Sequence, residues 1–205
     1  MMYYNYLFTW NTTTKLVINF ACACAILANF WYDYYNQEQT EVIFFHGNQS
    51  QCDFHRNKTT LLNYLNSECP MCNVYKIIGW LNETKKTLDI CMYSLNSELL
   101  TNAIIDAHKR GVHVRIIVDE DNIRSTWKFG TMGIAKRVKL MQFNAKMLMH
   151  HKFIIIDNKK VILGSMNWTV NAVRRNWENV FLTNKYQIVD PFRHEFKTIW
   201  KQFDQ

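Results

Sequence analysis

The sequence is poor in the two residues that most often interrupt regular structure, with 2 prolines and 6 glycines in 205 residues. This scarcity excludes a collagen-like or proline-rich chain. The hydrophobic share of 48%, with 15% aromatic residues, excludes an intrinsically disordered chain. No internal repeat and no low-complexity tract is present. The length therefore predicts one globular domain with room for a small appendage.

Charge is almost missing from the first 32 residues, where Lys15 is the only charged side chain. Residues 16–32 form an apolar run that is just long enough to cross a bilayer, and aromatic residues flank it on both sides. We therefore predict a membrane anchor over residues 1–35. Two alternatives stay open: a cleaved signal peptide, suggested by the small residues of Ala21-Cys22-Ala23, and a buried core helix.

Acidic residues are outnumbered, since 24 Lys and Arg against 17 Asp and Glu leave a net charge of +7. Residues 109–160 hold 12 of the basic residues and only 4 acidic ones. Such a field favours a polyanionic partner, nucleic acid or an anionic membrane, with a solvated basic surface as the alternative. The candidate groove comprises Lys109, Arg110, Arg115, Arg124, Lys128, Lys136, Arg137, Lys139 and Lys146, with Trp127 and Phe129 as candidate stacking platforms for a single strand.

The six cysteines are an even number, but their positions do not suggest a disulfide framework. Three lie in apolar segments: Cys22, Cys24 and Cys91. The others form the pattern Cys52-x2-His55, thirteen residues, then Cys69-Pro-Met-Cys72. Two ligand pairs of this spacing suit a structural tetrahedral zinc in a reducing compartment, and Pro70 would stiffen a tight turn between the last two ligands. The alternative is free thiols without a metal.

Hydrophobic periodicity predicts the elements of the remaining chain. A polar connection over residues 33–40 leads to a strand at 41–45. Strands at 87–93 and 112–118 flank a helix at 96–110, whose inward face carries Leu99, Leu100, Ala103, Ile104 and Ala107. A β-α-β unit of this length implies parallel strands and a right-handed crossover, and hence an α/β sandwich.

Two further elements are predicted towards the carboxyl terminus. Strands at 152–156 and 160–163 form a hairpin around Asp157-Asn158. A final helix at 190–203 is expected to bury the apolar residues Phe192, Phe196, Ile199, Trp200 and Phe203.

The residues that carry chemistry lie between positions 149 and 179. His150, Lys152 and Asp157 form the pattern H-x-K-x4-D, and a G-S-x-N pattern follows at residues 164–167. Successive side chains of a strand point to opposite faces, so His150 and Lys152 point the same way. A nucleophile beside a fixed cation suits attack on a phosphodiester.

This motif resembles the signature of the phospholipase D superfamily, most of all its short membrane-anchored branch, which includes Zucchini and mitochondrial cardiolipin hydrolase. The resemblance runs from the amino-terminal apolar run to the final helix. It implies an α/β fold, a phospholipase D-like α/β sandwich with a mixed sheet, preceded by a transmembrane helix. It also implies a catalytic domain over residues 41–205 with a small zinc-finger insertion at 52–72.

The resemblance implies roles for the matching residues. His150 attacks phosphorus to give a phosphohistidine, while Lys152 and Asn167 hold the non-bridging oxygens. The Ser165 hydroxyl would add a weaker contact to substrate. Glu178 resembles the acidic residue that orients the histidine in this family, with a surface carboxylate as the alternative.

Asp157 completes the catalytic signature and is expected to act mainly by holding the hairpin turn. No catalytic metal is implied, and zinc, if bound by Cys52, His55, Cys69 and Cys72, is structural. The family mechanism uses two histidines, whereas this chain holds a single complete motif, His113-Val-Arg115 being only a near miss. We therefore predict a homodimer in which two copies of His150 share one site.

The function implied is that of a metal-independent, single-strand-specific endoribonuclease that leaves 5′-phosphate ends in piRNA biogenesis. It would sit in the mitochondrial outer membrane as a single-pass protein, with its catalytic domain facing the cytosol. Single-stranded DNA is an expected substrate in vitro, because attack by histidine does not need the ribose 2′-OH.

The alternative function is that of a cardiolipin hydrolase that produces phosphatidic acid, since an anionic membrane would attract the same basic residues. An apolar slot for acyl chains stays open among Phe143, Met147, Leu148 and Met149. A catalytically silent anchored scaffold is the third hypothesis.

Overall fold

The computed structural model describes residues 11–47, 68–119, 128–138, 140–142 and 145–202. The chain divides into two compact units, residues 1–38 and 39–205. The first unit contains helix α1 (Thr12–Asn36), which begins after Asn11, whose side chain accepts a hydrogen bond of 2.8 Å from the Thr14 amide. Over Thr12–Tyr32 this helix is long and apolar enough to cross a membrane, and none of that stretch is buried. It therefore fits the predicted anchor.

Nine strands lie in the described residues of the second unit: β1 (Thr40–His46), β2 (Thr87–Met92), β3 (His113–Asp119), β4 (Ala135–Val138), β5 (Leu140–Gln142), β6 (Ala145–Met147), β7 (Lys152–Ile156), β8 (Lys160–Gly164) and β9 (Trp177–Thr183). Seven form a sheet in the order β1-β9-β8-β7-β2-β3-β4. Strands β2, β3 and β4 run parallel, and the pairs from β2 through β7, β8 and β9 to β1 are antiparallel. This confirms the predicted mixed sheet.

Helices cover both faces of the sheet. Helices α2 (Pro70–Asn82), α3 (Glu98–Lys109) and α4 (Val170–Arg175) belong to one face, where the core includes Trp80, Ile104 and Ile154. Helix α5 (Tyr186–Gln202) packs on β7 and β8 from the other face, where Phe153 and Phe196 are buried. The predicted α/β sandwich is confirmed.

The two predicted helices differ in detail from those observed. In α3 four of the five expected residues are buried, but Leu99 is exposed because it lies on the outer side of the first turn. Helix α5 begins at Tyr186, four residues before the predicted start. A helix over the predicted range 190–203 would have Pro191 in its first turn, where proline is favoured, whereas the longer observed helix holds Pro191 in its interior. Phe203 lies outside the described residues.

A tight turn was predicted at Cys69-Pro-Met-Cys72, and the structure has a helix start there instead. Cys69 is the N-cap of α2, and Pro70 occupies the first helical position, where its missing N–H costs nothing. The apolar residues Val74, Ile77 and Trp80 then follow at helical spacing and are buried. The cysteine pair therefore begins the first helix of the sandwich.

Candidate active site

The candidate site lies at one end of the central strands of the sheet, where β2 and β8 end and β7 and β9 begin. Met92 pairs with Lys152, and the Tyr93 amide donates a hydrogen bond of 2.8 Å to the carbonyl oxygen of His151. On the other side of β7, Gly164 at the end of β8 pairs with Val180 of β9. The antiparallel β7–β8 hairpin therefore brings the H-x-K and G-S-x-N segments together at its open end.

His150 and Lys152 are in direct contact, as the strand alternation predicts. The Lys152 Nζ lies 3.2 Å from His150 Nδ1 and 3.3 Å from Nε2, and it donates a hydrogen bond of 2.9 Å to the His150 carbonyl oxygen. Burial lowers the pKa of Lys152 below its ordinary value, and the negative charge of Glu178 partly opposes that shift. The ammonium is therefore fixed beside the imidazole and close to a carboxylate.

Tyr93, which the sequence analysis missed, forms the wall behind this pair. Its ring centroid lies 4.6 Å from that of His150, and the Lys152 Nζ lies 5.4 Å from the Tyr93 ring centroid. The signal available in the sequence was an aromatic residue at the end of the predicted strand 87–93. Tyr93 limits the orientations open to the His150 ring.

Asp119 is a second missed residue, and it positions the chain just before His150. Its buried carboxylate, at the end of β3, accepts a hydrogen bond of 2.9 Å from the Met149 amide. A hydrogen bond to a buried carboxylate fixes backbone more firmly than one between neutral groups. Asp119 therefore acts on the histidine through the backbone.

Glu178 and Ser165 form a network that differs from the predicted one. The Ser165 hydroxyl donates a hydrogen bond of 2.5 Å to Glu178 Oε2 and accepts one of 3.0 Å from the Asn179 amide. The Asn176 side chain donates a hydrogen bond of 2.9 Å to Glu178 Oε1. Within the described part of the chain, no hydrogen bond joins Glu178 to His150. The charge of Glu178 acts on Lys152, and the hydrogen bond from Ser165 holds the Glu178 carboxylate in place.

The contacts of its neighbour Trp168 place Asn167 at the same end of the strands. The buried Trp168 forms a bridge with Leu95 just beyond β2, and its amide donates a hydrogen bond of 3.0 Å to the Ser94 carbonyl oxygen. The side-chain oxygen of Asn167 is buried without a hydrogen-bond partner among the described residues. The Asn167 carboxamide therefore has hydrogen-bonding capacity that the fold does not use.

The structure separates Asp157 from the other motif residues. It lies at the far end of β7, about 16 Å from Lys152 along the strand, and its carboxylate accepts hydrogen bonds of 2.9, 2.6 and 2.9 Å from the amides of Lys85, Lys86 and Thr87. Asp157 and Asn158 both have positive φ, at 52° and 57°, as a two-residue hairpin turn requires. A catalytic role through substrate contact does not fit this position.

Comparisons with known proteins agree with this geometry. The family profile "Cardiolipin synthase, PLD-like domain" matches residues 77–200, which contain the whole motif. The chain belongs to the phospholipase D superfamily. It is 35% identical over 130 residues to a zebrafish (Danio rerio) protein named mitochondrial cardiolipin hydrolase, and 33% identical over 131 residues to a human (Homo sapiens) protein of that name. These relatives support the predicted place in the Zucchini branch of the phospholipase D superfamily.

The matched segments are parts of both chains. They cover 63% of this chain in both cases, but only 57% of the zebrafish protein and 51% of the human one. Among solved structures, NucT from Helicobacter pylori has a TM-score of 0.59 at 20% identity, covering 80% of this chain and 97% of its own. Nuc from Salmonella typhimurium has a TM-score of 0.57 at 21% identity, with coverages of 81% and 96%. At this identity the two structures confirm the phospholipase D fold alone.

The near-miss motif at His113-Val-Arg115 is not a second phospholipase D site. Arg115 forms a bidentate ion pair with Asp89, at 2.7 Å from Nε and 2.6 Å from a terminal nitrogen, and its guanidinium lies 4.9 Å from the Phe196 ring centroid. Both partners of Arg115 are thus structural. The sequence therefore holds one complete motif, that of His150, Lys152 and Asp157.

The predicted basic groove is not assembled by the described residues. Arg115 is held by Asp89, and Phe129 is fully buried and offers no stacking surface. Lys109 is the last residue of α3 and Arg110 is its C-cap, at the opposite end of the strands from His150. Arg124, Trp127 and Lys139 lie outside the described residues, as do the side chains of Lys136, Arg137 and Lys146. Of the predicted set, Lys128 is described as exposed.

The predicted zinc site is only half within the described residues. Cys69 and Cys72 are both buried and lie one turn apart at the start of α2, which suits two ligands of one metal. Cys52 and His55 lie outside the described residues. Among the residues that are described, no three His, Cys, Asp or Glu side chains form a group that could hold a metal ion.

Proposed function

We propose that this protein is a metal-independent phosphodiesterase of the phospholipase D type, with His150 as its nucleophile. The observation that carries this proposal is the contact between His150 and Lys152, whose ammonium is fixed 3.2 Å from the imidazole. Asn167 lies at the same end of the strands. A ring nitrogen of His150 bonds to phosphorus as the P–O bond to the leaving group breaks, giving a phosphohistidine. Water then breaks the P–N bond and releases the phosphate product.

Lys152 and the Asn167 carboxamide are the groups suited to hold the non-bridging oxygens, on which negative charge builds in the transition state. The charge of Glu178 favours the protonated form of Lys152, and Ser165 keeps Glu178 in place, so we assign both to positioning. The departing oxygen needs a proton. We propose that a second copy of His150 supplies it, in a symmetric homodimer with one composite site.

For the substrate we propose single-stranded RNA, cleaved at the mitochondrial outer membrane to leave 5′-phosphate ends in piRNA biogenesis. Attack on phosphorus with departure of the 3′-oxygen leaves the phosphate on the 5′ side, as this product requires. The mitochondrial names of the relatives and the apolar helix α1 support a mitochondrial membrane anchor. We further propose that this membrane is the outer one and that the catalytic domain faces the cytosol.

A cardiolipin hydrolase is the second candidate function, and two observations favour it. The relatives carry that name, and Met147 and Leu148, which lead directly to His150, are both exposed apolar residues. Met149, which we had grouped with them, is buried and does not line the approach. The product would be phosphatidic acid, released by the same two steps.

One experiment tests both candidates. The full chain, wild type and His150→Asn, is given labelled single-stranded RNA and cardiolipin vesicles in the presence of EDTA. His151→Asn is the matched control, because His151 points to the other face of β7 and contacts Glu195 at 3.3 Å. We expect RNA cleavage with 5′-phosphate ends in wild type and His151→Asn and none in His150→Asn. Lipid turnover without RNA cleavage would support the second candidate, and activity in His150→Asn would exclude both.

We also propose that Cys69 and Cys72, together with Cys52 and His55, bind a structural zinc ion. The two buried thiols at the start of α2 support it. Purified full-length protein should then contain one zinc per chain by mass spectrometry, and Cys72→Ser should lose it. Protein that folds and acts without stoichiometric zinc would contradict the proposal.

A further inference from the structure

An exposed apolar stripe runs along the first strand of the sheet. It consists of the exposed residues Val42, Phe44 and Trp177 and the half-buried His46, whose ring lies between the other two rings, and we call it the β1 stripe. Val42 is 48% exposed, Phe44 55% and Trp177 78%. The His46 ring stacks on Phe44 with centroids 6.2 Å apart and meets Trp177 edge-on at 4.9 Å. The three rings therefore form one connected surface.

The β1 stripe faces away from the catalytic side chains. Phe45 is buried in the core under α2 and pairs with Glu178, so these two side chains lie on one face of the sheet. His46 pairs with Trp177, one residue along each strand, and that pair lies on the other face. A nucleic acid bound at His150 would not stack on this surface, which favours a different partner.

The position of β1 in the chain indicates which partner that is. Only residues 37–39 separate α1, which is able to cross a membrane, from the start of β1. Three residues of extended chain span about 10 Å, so β1 begins close to the surface of any membrane that α1 spans. Aromatic rings and aliphatic side chains on a protein surface are typical of segments that lie in the headgroup region.

A further exposed aromatic residue, Tyr186, follows a segment that is hydrogen-bonded to the start of β1. Gln39 exchanges two hydrogen bonds with Asn184, of 2.7 Å and 3.1 Å, and these hold the start of β1 against the segment that leads into α5. Tyr186 follows two residues later and is 66% exposed. Aromatic residues are thus exposed near both ends of β1.

We propose that the β1 stripe lies in the headgroup region of the membrane that α1 spans, so that the catalytic unit docks on the bilayer through its first strand. Docking would hold the start of β9, which carries Glu178, next to the lipid headgroups, because Trp177 precedes Glu178 in that strand. The proposal rests on α1 crossing a membrane and is independent of whether RNA or lipid is the substrate.

The test uses the full chain in liposomes of phosphatidylcholine and cardiolipin. A photoreactive p-benzoylphenylalanine replaces Phe44 in one variant and Trp177 in another. The control replaces Tyr75, which is similarly exposed but lies on α2, at the opposite face of the sheet. Membrane insertion and RNA or lipid hydrolysis are measured for each variant, which separates a failure of docking from a failure of the proposed catalysis.

After irradiation, mass spectrometry identifies what each position has captured. We expect lipid adducts at positions 44 and 177 at least about fivefold above those at position 75, as for side chains in a membrane interface. Equal yields at the three positions would overturn the proposal. Adducts to a second copy of this chain, or to added RNA, in place of lipid would also overturn it and identify the β1 stripe as a subunit or nucleic-acid interface.

Discussion

The Ser165 hydroxyl donates a hydrogen bond of 2.5 Å to Glu178 Oε2 across the β8–β9 pair. The Ser165 hydroxyl oxygen also accepts a hydrogen bond of 3.0 Å from the Asn179 amide, so the hydroxyl both donates and accepts within the fold. Glu178 in turn opposes the fall in the pKa of Lys152 that burial causes. The G-S-x-N segment is therefore linked to Lys152 through the Glu178 carboxylate.

Replacing Glu178 by Gln should narrow the pH range of activity. Burial already lowers the pKa of Lys152, and the Glu178 charge raises it again in part. Without that charge the pKa falls further, so Lys152 loses its proton at a lower pH. We expect the alkaline limb of the kcat/KM profile to move towards lower pH.

The control for this prediction is Glu195→Gln, which removes a carboxylate that contacts His151 on the other face of β7. Its alkaline limb should coincide with that of wild type. An unchanged limb in Glu178→Gln would show that another group sets the charge of Lys152.

Replacing Ser165 by Ala should lower kcat and leave KM nearly unchanged. The hydroxyl holds Glu178 and makes no free donor available to substrate, so its loss disturbs the site without removing a substrate contact. Losing one hydrogen bond to a charged group, worth about 1.5 kcal/mol, corresponds to about a tenfold fall in kcat. Steady-state kinetics on a short labelled substrate measure both constants. A large rise in KM would instead support the direct phosphate contact that the sequence suggested.

Strand alternation was enough to predict that His150 and Lys152 share a face, because it depends only on local backbone geometry. The role of Glu178 could not be predicted in the same way. Its bond to Ser165 depends on the register that sets Gly164 opposite Val180, thirteen and more residues away along the chain. Pairing register between distant segments has no signature in a single sequence.

The predicted basic groove shows the limit of counting charges along a chain. Arg115 alternates onto the face covered by α5 and is neutralised by Asp89, and Phe129 turns into the core. Which face a side chain occupies depends on where the helices pack. Among the described residues of the predicted groove, Arg115 and Phe129 are therefore not available to a bound strand.

Replacing Asp157 by Ala should reduce stability and leave turnover by the folded protein unchanged. Burial raises the pKa of this carboxyl, but hydrogen bonds from the amides of Thr87, Lys85 and Lys86, with the charge of Lys159, outweigh it and hold the pKa below its usual value. A group with a depressed pKa in the folded state contributes stability above its unfolded pKa, and that contribution is lost as the pH falls through the folded value.

At pH 7, Asp157→Ala should lower the free energy of unfolding by about 1–2 kcal/mol. The loss is no larger because the carboxylate is partly exposed to solvent. The difference between wild type and Asp157→Ala should shrink once the pH falls below about 4, the ordinary pKa of an aspartate. Thermal unfolding in detergent at several pH values measures it, with the exposed Asp106→Ala as control. A turnover defect in stable Asp157→Ala protein would restore Asp157 to the catalytic group.

Gly164 should tolerate no side chain, because the backbone of β9 leaves no room for one there. A Cβ at this position would lie 2.1 Å from the Asn179 carbonyl oxygen, and the φ of 154° is unfavourable for other residues. Gly164→Ala must push β9 away and disturb Ser165 and Glu178, so we expect a loss of about 2–4 kcal/mol in stability together with activity. Gly79→Ala is the matched control, since its Cβ meets nothing within 4 Å. Because alanine favours the helix more than glycine does, Gly79→Ala should raise the free energy of unfolding by about 0.5–1 kcal/mol. Equal unfolding midpoints for the two variants would contradict the close approach of the strands.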